Sequence, residues 1–240
     1  MHFGGCFGVF LSSVRLREAI FAITFASLAA GCPPLATGPA NPSLIAIVGK
    51  GDALALSDAL EDLVAAGKDT PSDRQFALDQ IRAHPEGTAA YAFARAAVTG
   101  RVVQSRGLTG APLVADTEHW AEVSRKLDPQ FREGAATRLL GTLYVLAPSG
   151  WLEHGDSEQG LELLEGLVKA HPQTLENKLR LAEAYIALGD PAPAQPYLCT
   201  CQARKADLRR DDQLLLEHLF ADAGNPHCPT VAAVRPGGQP

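Results

Sequence analysis

Gly155-Asp156 and Gly189-Asp190 stand 34 residues apart, and what surrounds them is matched. Four residues after each Asp comes a small residue, Gly160 in one case and Ala194 in the other. Ahead of each pair, Leu140-Gly141 precedes Tyr144 by the same steps that Leu181-Ala182 precedes Tyr185. A period of this length is too long for a turn of any regular element and fits one supersecondary unit. Such units bury their apolar faces only by stacking on one another.

The rest of the chain fits helical units. Leu54, Leu56, Leu60, Leu63 and Val64 share one face of a helix, and Gly67 can end it at positive φ. Thr70, Pro71 and Asp73 are N-cap, first-residue and first-turn types for the next helix, which carries Phe76, Ala77, Leu78 and Ile81 and stops before Pro85. Further helices are expected at Tyr91–Val98, ending by Gly100, at about Asp116–Leu127, at Ala135–Leu146 and at Asp156–His171. Residues 101–113 read as irregular, with Gly107, Gly110 and Pro112. Proline follows a helix end in Ala83-His84-Pro85, Leu127-Asp128-Pro129 and Ala170-His171-Pro172. Pro196 would break an established helix, so the helix in that region is expected to begin late or to kink. Alanine and leucine dominate and aromatic residues are few, at 6%. Residues 53–222 are therefore expected to be all-α, with no sheet.

This pattern resembles tetratricopeptide repeats, the specific motifs lying in 136–203. The resemblance implies antiparallel helix pairs stacked into a superhelix, with small residues at close crossings. Its inner surface would be made by the first helix of each pair. Arg138, Thr142, Arg180 and Glu183 are then the outward-facing candidates for partner contact. The spacing departs from the repeat at one place. Eleven positions separate Tyr144 from Gly155, but four separate Tyr185 from Gly189, a seven-residue excess holding Pro148, Gly150 and Trp151. Trp151 is one of only two tryptophans. With Tyr144 and Tyr185 it is a candidate ligand or partner contact. Such irregular helix pairs are also similar to the lipid-anchored T-component proteins of tripartite (TRAP) transporters.

The N-terminus reads as a targeting segment over residues 1–31. Arg15 and Arg17 precede Ala19–Ala30, an uncharged and mostly apolar run too short to cross a bilayer. Ala29, Ala30 and Gly31 then lead to Cys32, which resembles the lipobox of bacterial lipoproteins, with Leu28 one place early. The resemblance implies a lipid anchor on Cys32 and, since Pro33 follows, an outer-membrane address facing the periplasm. Ordinary secretion with a free Cys32, and an uncleaved anchor, are the alternatives. Residues 32–52 read as a proline- and glycine-rich tether and 223–240 as a flexible tail.

The formal charge is −6 overall. Residues 1–31 carry Arg15, Arg17 and Glu18, so the remainder is at −7, which argues against nucleic acid as a partner. Of the five cysteines, Cys199 and Cys201 are two apart and point to different helix faces. A disulfide to Cys228 and buried free thiols are both open. No Cys-x-x-Cys or His-x-x-x-His pair occurs, and no metal or other cofactor is expected. His84 and His171 suit helix C-termini, while His119 beside Glu118 and His154 beside Glu153 suit capped or half-exposed packing. No Gly-x-Ser-x-Gly elbow or phosphate-cradling loop is found, and the chain is expected not to be an enzyme. Binding of a protein partner is the expected function, with a small solute as the alternative.

Overall fold

The computed structural model describes residues 40–48 and 52–229. Cys32, the signal segment and most of the tether lie outside the described residues. Within them every regular element is helical: α1 (Pro42–Val48), α2 (Ala53–Ala65), α3 (Pro71–Ala83), α4 (Ala89–Arg106), α5 (Val114–Leu127), α6 (Ala135–Leu146), α7 (Ser157–Ala170), α8 (Leu175–Ala187), α9 (Gln195–Ala203) and α10 (Arg210–Asp222). Short 3-10 stretches occupy Gly107–Leu113, Ser149–Trp151 and Lys205–Asp207.

Local chemistry accounts for most boundaries. Asp52 caps α2 by accepting from the Leu54 and Ala55 amides, and Gly67 follows at φ +64°. Thr70 and Asp73 exchange the two hydrogen bonds of a capping box ahead of Pro71. Asp156 accepts from the Gln159 amide to start α7. His84 and His171 are the C-caps of α3 and α7. After Pro191 and Pro193, α9 begins late, with Pro196 in its first turn.

Three boundaries differ from the sequence reading. Helix α4 continues past Gly100 to Arg106, because Val98, Thr99 and Val102 are all buried there. That packing outweighs the roughly 1 kcal/mol that glycine costs in a helix interior. Helix α1 lies inside the segment read as tether: Leu44 is fully buried against α2–α4, and the Asn41 amide donates to Asp73 at 2.6 Å. The tail read as flexible is fastened at its start. Cys228 is disulfide-bonded to Cys199 of α9, and Gln195 donates to the His227 carbonyl.

The helices pair as α2 with α3, α4 with α5, α6 with α7 and α8 with α9, and each second helix packs on the first helix of the next pair. The first helices also touch in succession, α2 to α4 to α6 to α8 to α10, and α10 returns against α2. They make an inner ring, with α3, α5, α7 and α9 outside it. At the α6–α7 crossing a Cβ on Gly141 would stand 2.7 Å from Leu164 Cγ and 3.0 Å from the Gly160 carbonyl oxygen. A Cβ on Gly160 would stand 2.8 Å from the Gly141 oxygen. The two backbones meet there, which is why both positions carry glycine. Ala182 of α8 and Ala194 just before α9 are likewise fully buried.

Candidate functional site

The inner ring is lined with charge. Arg101 of α4 pairs with Glu61 of α2 and lies 3.5 Å from Asp211 of α10. Arg180 of α8 pairs with Glu183 at 2.9 Å and with Asp212 of α10 at 2.8 Å. Burial alone would lower the Arg180 pKa, but those two carboxylates more than reverse it. Burial pushes the Asp212 carboxyl up, partly countered by Arg180. Arg180 and Glu183 were expected to face outward, yet Glu183 is 4% exposed and Arg180 is committed to internal pairs. Arg138 of α6 differs. It donates to the Asn177 side chain at 2.6 Å, and burial lowers its pKa. Thr142, one turn on, has a buried hydroxyl without a hydrogen-bond partner among the described residues.

The second feature is the seven-residue excess, over Ala147–His154. Its Leu152 packs against the apolar cluster of Ala96, Ala121, Leu140 and Tyr144. Trp151 is half-buried and belongs to none of the apolar clusters among the described residues. The gap left by the insertion is thus filled by Leu152, and the indole stays outside the apolar clusters. The loop itself is pinned. Glu118 of α5 is 1% exposed, and its carboxylate accepts from the Glu153 amide at 2.7 Å and the His154 amide at 2.9 Å. The His154 Nδ1 lies 3.7 Å from the same carboxylate.

Tyr144 and Tyr185 repeat one arrangement. Tyr144 donates to Glu122 of the preceding outer helix at 3.2 Å, and Tyr185 donates to Glu165 at 2.5 Å. Burial, and then the neighbouring carboxylates, raise both phenol pKa values, so each stays a proton donor. Their rings sit in different apolar clusters: Tyr144 with Leu140, Tyr185 with Leu181 and stacked on Tyr197. A small cleft lies elsewhere, lined by Ile47, Val48, Leu56, Ile81 and His84.

Glu118 and Glu122 were not singled out from the sequence. Carboxylates at i and i+4 on a helix ordinarily face water, and the only available signal was that α5 carries two on the face bearing Ala121. Trp120 itself is a packing residue. Its indole N–H donates to Asp116 at 3.0 Å, Arg95 lies 4.2 Å over its ring, and Tyr91 meets it edge-on.

Among the described residues no helix is long and apolar enough to cross a membrane. No protein-family model and no curated protein matches the chain.

Proposed function

We propose that this chain is a tetratricopeptide-like scaffold that binds a protein partner, catalyses no reaction, and is held at the periplasmic face of the cell envelope by lipid on Cys32. The alternation of inner and outer helices supports the repeat reading. The observation that carries the binding reading is Trp151. A large aromatic, half-exposed and outside the apolar clusters, is presented on a loop that a buried carboxylate fixes in place. A rigid loop loses little entropy on association, and tryptophan is enriched among residues that dominate interface energy. A second reading, a solute-binding accessory of a TRAP-type system, needs an enclosed aromatic pocket. Tyr144 and Tyr185 lie in separate packed clusters, which favours the first reading.

Affinity recovery from envelope membranes, comparing the unaltered protein with Trp151→Ala and Cys32→Ala, tests this. Trp151→Ala is expected to lose the partner and to keep its melting temperature within about 2 °C, a shift that corresponds to no more than about 1 kcal/mol in a chain of this size. Cys32→Ala is expected to leave the membrane fraction. A Trp151→Ala protein that melts several degrees lower yet recovers the same partners refutes the loop's role.

A further inference from the structure

Glu118, Glu122 and His154 each offer a ligand atom within 4.8 Å of the others, at the junction of α5 with the Trp151 loop. Two observations set this cluster apart from an ordinary solvated acidic face. The first is electrostatic. Glu118 is buried, and the imidazole of His154, charged only when protonated, lies 3.7 Å from its carboxylate. Glu122 adds a second carboxylate against the same Tyr144 hydroxyl, which has one proton to give. Two carboxylates held close, one of them buried, repel each other unless a cation joins them.

The second observation is a comparison inside the molecule. Tyr185 makes the equivalent bond to Glu165, and the residue one turn before Glu165 is Leu161, packed in the same apolar cluster as Tyr185. One turn before Glu122 stands Glu118. Packing a tyrosine against the preceding outer helix therefore needs one carboxylate, and this site has two with an imidazole beside them.

We propose that Glu118, Glu122 and His154 bind a divalent transition-metal ion, with zinc the reference case. Two carboxylate oxygens and one imidazole nitrogen are a three-ligand set that leaves a fourth position for water. Tyr144 then orients Glu122, and the amides of Glu153 and His154 orient Glu118, the outer-shell support that metal ligands need. The half-exposed Glu122 and the exposed His154 close on the ion against the buried Glu118. Bound metal clamps the loop to α5. The imidazole selects against magnesium and calcium. The proposal does not depend on what Trp151 contacts.

The test uses the full-length chain in detergent, stripped with a chelator. Calorimetric titration with Zn2+ is expected to show one site of micromolar or tighter affinity, and Co2+ to give visible d–d absorption. His154→Ala and Glu122→Gln are each expected to weaken Zn2+ binding about 10-fold or more and to abolish the Co2+ bands. Both variants should keep the metal-free melt, because neither side chain is buried. Absence of Zn2+ binding overturns the proposal. So does wild-type affinity in either variant, which would place the ion on other residues.

Discussion

Cys201 shows how burial sets the chemistry of one side chain. Two residues from the disulfide-bonded Cys199, it faces inward on α9 and is fully buried, and its thiol donates to the Leu175 carbonyl at 3.6 Å. Burial pushes its pKa from 9.0 up to about 12. The folded state holds the proton more tightly than the unfolded chain, so this stabilising contribution is complete below pH 9 and is lost as pH rises from about 9 to about 12. Thiolate is the reactive form, and Cys201 is therefore expected to resist maleimide at pH 8 in the folded protein and to react fully in denaturant, as peptide mapping would show. Modification of folded Cys201 within minutes would contradict the burial. The two-residue spacing of Cys199 and Cys201 made their opposite directions legible, but it could not choose the partner. The role of Glu118 in pinning the loop was not legible. The hydrogen-bond donors to its carboxylate are amides 35 and 36 positions away, brought to it by the seven-residue excess, and no local pattern encodes that meeting.

At the scale of elements, the caps and glycine stops were readable because they act within three or four residues. The end of α4 and the existence of α1 were not, because each depends on apolar contacts with other helices. Two glycines of α7 separate these effects. Gly160 meets the Gly141 backbone, whereas a Cβ on Gly166 would touch nothing within 4 Å. Gly166→Ala is expected to stabilise by about 0.5–1 kcal/mol, because it removes backbone freedom from the unfolded chain. Gly141→Leu is expected to destabilise by about 1–3 kcal/mol or more, since Leu164 and the Gly160 carbonyl stand in the way. Denaturant titration of the two variants decides it, and equal stabilities would mean that the helices do not cross closely at Gly141.

Over the whole molecule, closure of the inner ring turns a string of neighbours into a circuit. Arg180 is the clearest link, joining α8 to α10 between two buried carboxylates. Arg180→Met strands both Glu183 and Asp212, and a cost of about 3–5 kcal/mol is expected from thermal or denaturant melts. A loss under 1 kcal/mol would mean that water already screens the pair. None of this closure could be read from the sequence, since Arg209 of the α9–α10 connection and Asp62 of α2 are 147 positions apart. Arg209 also donates to the Glu61 carbonyl, and Arg101 reaches Asp211, so the first and last long helices are stitched together by several polar contacts. That seam has a mechanical consequence. A pull applied to residues 52 and 222 loads these contacts before any interior helix pair feels the force. An open array sheds its units one at a time from an end. Here the seam must part first, and the force–extension trace of a single molecule should begin with one rupture at the seam, followed by the smaller releases of the pairs it had been protecting.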